Sequence, residues 1–216
     1  MLNIPLFDTP TRSSGGFLIR YILPRMGPPA LVGPLARNPF FNALARNSDF
    51  ILGSGHGSND SYTGQNVTDL LTIGKYNPDH VKGKVIKLVS CDTGQGLCQD
   101  LVNNGARAAL GYDQDLIWVA DESYYFNPWD DPQAKSVMLC IRDGLNALLD
   151  GATAQESLDI EKAAYMVNMD NEGRSFNRSI LKWNYDHSVL FGDKNAVLSQ
   201  RAVMPTPFFP PPPMIF

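Results

Sequence analysis

The chain has 216 residues, of which 44% are hydrophobic and 19% charged, an ordinary composition for one globular domain with a well-buried core. A formal net charge of −4 without any Lys/Arg run speaks against a nucleic-acid partner. Three cysteines make no disulfide framework, and no stretch of about 18 consecutive apolar residues offers a membrane span.

Residues 1–16 hold an acid and two prolines where a secretory signal would have a basic end and an apolar run, so the expectation is a soluble, cytoplasmic protein. Residues 1–38 are rich in Pro and Gly and are set apart as an N-terminal segment with one or two strands. The better strand there is 16–23, between Gly15 and Pro24, and 30–32 is the second. Asn38 is a candidate cap for a short helix opening at Pro39 and reaching about residue 46. Residues 49–54 (DFILGS) form a buried strand that runs into a polar, Gly-rich loop over 55–66, and 67–73 is read as helical. Residues 84–90 (KVIKLVS) are a second strong strand, ending at Cys91. Leu97, Leu101 and Val102 repeat at helical spacing within 96–104, Gly105 follows at a C-cap position, and 106–112 is a short third strand. The acidic, aromatic stretch 113–132 has no clear period. Val137, Ile141, Leu145 and Leu148 mark the clearest helix, 133–149. Thr153 and Glu156 form a capping box that opens another, to about residue 169. A last strand, 188–191, precedes Gly192-Asp193. Residues 39–200 are taken as the main domain, and the Pro/aromatic tail 201–216 as neither helix nor central strand.

Strands alternating with helices predict an α/β fold, a three-layer αβα sandwich with a mostly parallel sheet. In such sheets, sites form beyond the carboxyl ends of the strands. Two strands here end in reactive groups, one in Gly55-His56-Gly57 and the other in Ser90-Cys91. An imidazole beside a thiol can take its proton to make the nucleophilic thiolate, and later return a proton to a leaving amine. Attack on an amide carbonyl builds an oxyanion, for which the N–H groups of Gly57 and Cys91 are the candidate donors. A helix starting soon after Cys91 would favour the thiolate, whereas Asp92, if turned toward the sulfur, would oppose it. A single Cys at a strand end is most often a small buried hydrophobe, and a Gly-flanked His is most often a turn residue. Both together, each directly after an apolar strand, point to chemistry. Cys98 and Cys140 lie on apolar helix faces and are assigned to the core. Neither His80 nor His187 has an evident partner.

The two blocks FILGSGHG (50–57) and KVIKLVSC (84–91) resemble the signature blocks of clan CD cysteine peptidases, the caspase, gingipain and CHAT group. The stretch SCDTGQGLCQDLVNNGARAALGY (90–112), the segment LLDGATAQESL (148–158) and VLFGD (189–193) extend the resemblance over about residues 40–193. The resemblance implies a caspase–haemoglobinase-like fold and a dyad of His56 as general base and Cys91 as nucleophile. It also implies an oxyanion hole from Gly57 and Cys91, and cleavage of polypeptide substrates. A basic P1 side chain would be held by an acid after the third strand, for which Asp113, Asp115 and Asp121 are the candidates. Little chain precedes His56, so the first half of the sheet is expected to be reduced or supplied by a partner.

A dinucleotide site is excluded, since Gly53 to Gly57 lacks the third glycine of G-x-G-x-x-G. No G-x-S-x-G elbow is present, and no close-spaced Cys/His pairs suggest zinc. No cofactor or metal is expected. The rival reading is a catalytically inactive caspase-like scaffold that binds a partner protein through its Pro-rich tail as polyproline II. The tail is alternatively a segment for self-cleavage.

Overall fold

The computed structural model describes residues 1–172 and 176–199. In chain order they form β1 (Leu2–Ile4), α1 (Thr9–Tyr21), α2 (Leu23–Met26), β2 (Ala30–Val32), α3 (Phe40–Ala45) and β3 (Phe50–Ser54). A small hairpin follows, β4 (Ser61–Thr63) and β5 (Asp69–Thr72), then β6 (Val85–Val89), α4 (Leu97–Asn103) and β7 (Ala108–Tyr112). After two 3-10 turns come α5 (Pro132–Leu149), α6 (Ala154–Glu172), α7 (Phe176–His187) and β8 (Ser188–Gly192).

One six-stranded sheet has the order β2-β1-β3-β6-β7-β8. All neighbours are parallel except β8, which runs antiparallel to β7. The central strands are buried on both faces and read as continuous apolar runs, as a covered parallel sheet requires. Their side chains alternate between two cores. Phe50, Leu52, Val85 and Val89 face α1, α5 and α6 through Phe17, Val137, Ile141 and Leu158. Ile51, Ile86 and Leu88 face the opposite side, with Phe41, Leu71, Leu97 and Leu101. The chain is thus α/β with helices on both faces of a mostly parallel sheet.

One polar network interrupts the first core. Lys87 Nζ lies 2.8 Å from Glu161 Oε2, both side chains being at most 2% exposed. The Tyr112 hydroxyl donates to Glu161 Oε1 at 2.6 Å. Gly144 makes room for the acid, since a Cβ there would lie 2.8 Å from Glu161 Cβ. Burying these charges is costly, and only the completed set of bonds offsets it.

The N-terminal expectations are corrected. Residues 16–23 do not form a strand: most of them belong to α1, which Asp8 caps from its side chain, with Pro10 in the first turn. Gly15, read as a strand boundary, and Gly16, read as the first strand residue, sit inside this helix at close contacts. A Cβ would fall 2.5 Å from Ile4 Cγ2 at the first and 2.1 Å from Pro128 Cγ at the second. β1 was not foreseen, and it lies between β2 and β3 in the sheet. The break drawn at residue 38 therefore marks no division of the sheet, and the first half of the sheet is present in this chain. Asn38 caps no helix; its side-chain amide donates to Asp69 O at 2.8 Å. Residues 67–73 are not helical but hold β5, paired with β4. α7 was also not foreseen. Against these, β2, β3, β6, β7, α4, α5, the start of α6 and β8 fall where periodicity placed them. The Thr153–Glu156 box is closed by Thr153 N–H and Oγ1 donating to Glu156 Oε2 at 2.8 and 3.0 Å. The whole of the tail, 201–216, lies outside the described residues.

Candidate active site

β3 and β6 pair in parallel with Ser54 opposite Val89. Counting two residues past each strand end puts His56 and Cys91 at matching positions beyond the carboxyl edge. Gly55 N–H continues the ladder by donating to Val89 O at 3.4 Å. Both side chains line one cavity of about 320 Å³, together with Thr9 and Ser14 of α1 and Asp115, Leu116 and Trp118 of the loop after β7.

The turn beyond Gly57 accounts for its free amide. Ser58 N–H donates to Ser61 O and Thr63 N–H to His56 O, both at 2.9 Å, so the bridge between Gly57 and Tyr62 leaves Gly57 N–H out of the ladder. Among the described residues, neither Gly57 N–H nor Cys91 N–H donates a hydrogen bond. The need for glycine at 57 comes from nearer at hand than a substrate. A Cβ would lie 2.3 Å from Ser90 Oγ and 2.6 Å from Cys91 O, so the His-Gly turn is packed onto the backbone of Ser90-Cys91. Asp92 then takes the left-handed conformation, φ 57°, which Asp tolerates better than most side chains. This bend lets Asp92 N–H reach Gln114 O at 3.2 Å and Gly94 N–H reach Tyr112 O at 2.8 Å.

The thiol is half-buried. It donates to Leu116 O at 3.9 Å and, among the described residues, has no hydrogen bond to His56. Burial pushes the Cys91 thiol up to about 11, with the carboxylates of Asp115 and Asp92 adding to the rise. The expected opposition from Asp92 is thus present, and Asp115 reinforces it. α4 starts only at Leu97, after an intervening turn, so no helix opens directly at the sulfur. Cys98 and Cys140 are buried core residues, at 0% and 1% exposure.

Of the three acids offered for a basic P1 side chain, Asp115 alone lines this cavity. Asp113 is held by His187, Nδ1 to Oδ1 at 2.8 Å, which gives His187 the partner that sequence reasoning lacked. Asp121 turns away to accept from Ser123 N–H at 2.8 Å. The cavity wall from Asp115 to Trp118 is fastened from outside. Trp183 Nε1–H donates to Asp115 O at 2.8 Å. Asn184 accepts from Ile117 N–H at 3.0 Å and donates to Ile117 O at 2.6 Å. Trp118 Nε1–H donates to Ser13 Oγ at 3.0 Å.

Sequence reasoning missed one residue altogether. Asp8 Oδ2 stands 2.6 Å from His56 Nε2. The legible signal was helical: an Asp followed by Thr9-Pro10-Thr11 is a capping pattern, but only the tertiary fold brings that cap to His56. The described residues contain no group of three or more His, Cys, Asp or Glu that could hold a metal ion. No described helix is long and apolar enough to cross a membrane. No protein-family model, no curated protein and no solved structure matches this chain.

Proposed function

We propose that this chain is a cysteine endopeptidase of the caspase–gingipain kind, with Cys91 as nucleophile and His56 as general base. The observation that carries the reading is the register of β3 and β6, which delivers an imidazole and a thiol to equivalent positions in one cavity. The His56 ring takes the Sγ proton as Cys91 attacks the substrate carbonyl carbon, forming an S–C bond. The carbonyl π pair moves to oxygen, where the free N–H groups of Gly57 and Cys91 receive it. The imidazolium returns its proton to the leaving nitrogen as the C–N bond breaks, leaving a thioester. Water, deprotonated by the same ring, then hydrolyses the thioester and restores the thiol. With the thiol pushed up to about 11 by burial and the neighbouring carboxylates, the resting nucleophile is neutral near pH 7, and it needs a general base to give up its proton. A basic P1 side chain finds a counter-charge in Asp115.

A panel of fluorogenic peptides differing at P1, run beside Cys91→Ala, tests this reading. Cleavage after Arg or Lys that disappears in the variant is the expected result. Equal cleavage by Cys91→Ala would remove the basis of the proposal.

The neutral thiol, bonded to Leu116 O rather than to His56, favours one second reading, an inactive scaffold of the same fold that binds a partner protein. Iodoacetamide labelling separates the two. An active dyad makes Cys91 label faster in the native chain than in His56→Gln, because the ring takes the thiol proton; a scaffold labels at the same rate in both.

A further inference from the structure

Asp8 divides its two carboxyl oxygens between two tasks. Oδ1 accepts from Thr11 N–H at 3.0 Å and from Thr11 Oγ1 at 2.6 Å, which closes the cap of α1. Oδ2 faces His56 Nε2 at 2.6 Å. The residues on either side hold this arrangement from several directions. Leu6 N–H donates to Gln65 Oε1 at 2.9 Å, and the Phe7 ring packs on the His56 ring at 5.6 Å between centroids. Ser14 Oγ of α1 meets Ser54 Oγ at 2.8 Å, tying the helix that Asp8 caps to the strand that delivers His56.

A carboxylate only accepts, so the ring nitrogen facing it must carry the hydrogen. The partner of one imidazole nitrogen thereby decides the state of the other. We propose that Asp8 is the positioning residue of the site: it holds His56 as the Nε2–H tautomer and leaves Nδ1 as the atom that exchanges protons with Cys91. This inference rests on the endopeptidase reading for its kinetic consequence, but not for the tautomer itself. Burial works against ionisation of Asp8, yet the hydrogen bonds from Thr11 and His56 outweigh it and hold the carboxyl below its usual range. At neutral pH the group is therefore the acceptor that the assignment needs. The helix N-terminus that it caps favours the same charge.

Asp8→Asn separates cap from orienter, because Asn caps a helix as well as Asp does. Its amide can donate to Nε2, which would reverse the tautomer and put the hydrogen on Nδ1. In the full chain, Asp8→Asn is expected to melt within a few degrees of the native protein. It should lose kcat by roughly 100-fold with little change in KM, the size of a general-base contribution. In Asp8→Ala, added formate should restore part of the rate by occupying the vacated carboxylate position; in Asp8→Asn it should restore none. Nitrogen NMR of labelled histidine should show His56 as Nε2–H in the native protein and shifted toward Nδ1–H in Asp8→Asn. Native kcat in Asp8→Asn, or an unchanged tautomer, overturns the proposal. If Cys91→Ala cleaves peptides as well as the native chain does, or if no peptide is cut, the endopeptidase reading fails instead, and the NMR tautomer still decides the role of Asp8.

Discussion

Two imidazole–carboxylate pairs stand at the carboxyl edge of the sheet, and their neighbours give them different work. His56 and Asp8 are 2.6 Å apart and His187 and Asp113 are 2.8 Å apart, so the pairs themselves hardly differ. His56 shares its cavity with the Cys91 thiol and is followed by Gly57, and neither Gly57 N–H nor Cys91 N–H has an acceptor among the described residues. His187 instead sits where α7 runs into β8, its ring 4.3 Å from that of Trp183, while Asp113 N–H donates to His187 O at 3.0 Å. One pair shares a cavity with a thiol; the other joins the end of β7 to the start of β8. The residue pair alone does not specify chemistry. The strand register around it does.

The comparison breaks most visibly at the two rings. His56→Gln is expected to cut peptide hydrolysis by about 1,000-fold or more, since it removes the proposed general base. His187→Gln should keep most of the rate and lose some thermal stability. Similar losses in both variants, measured with one peptide substrate, would erase the distinction. A third pair, Lys87–Glu161, is the buried counterpart. Lys87→Met should cost about 3–5 kcal/mol in urea unfolding, the usual result of stranding one buried charge. Adding Glu161→Leu should recover much of that loss. A mild effect of the single change would mean that water reaches the acid.

Gly57→Ala comes next. Its Cβ would press on Ser90 Oγ and Cys91 O, and overpacking of this kind costs roughly 1–3 kcal/mol. Peptide turnover should fall by more than the melting temperature suggests, because the proposed oxyanion donors shift with the turn. The smallest effect expected is on the labelling of Cys91 when Asp115 is changed. Removing its negative charge in Asp115→Asn lowers the thiol from about 11, so the thiolate fraction at pH 8 rises. Iodoacetamide should then label Cys91 roughly threefold faster, a change of about half a pKa unit. In the native protein the labelling rate should keep climbing as pH rises toward 11, and a plateau near pH 8 would contradict the assigned environment. Cys98 and Cys140, buried and pushed up to about 12, should not compete.

The parts of the fold that were legible in the sequence carry their own periodic signal. FILGS and VIKLV are apolar runs long enough to mark covered parallel strands, and Val137, Ile141, Leu145 and Leu148 repeat on one helix face. The reactive ends of β3 and β6 could therefore be named before the fold was known. The illegible parts depend on tertiary contact. Gly15 and Gly16 look like breakers, but they let α1 approach Ile4 and Pro128. β1 is three residues long, too short for a period-two pattern to show. Lys87 looks like a surface residue until Glu161, far along the chain, covers it. The Asp8–His56 pair spans 48 positions, and no local pattern links them.

The hold of α7 on the cavity wall sets an order of events during synthesis. Trp183 and Asn184 fasten Asp115 and Ile117, and His187 fastens Asp113. On a ribosome, where the chain appears from its N-terminus, Cys91 and His56 emerge long before these three side chains do. Until then the wall over the sulfur has nothing to anchor it on that side. The cleft is completed only when α7 is out, so any activity it has begins after residue 187 has emerged.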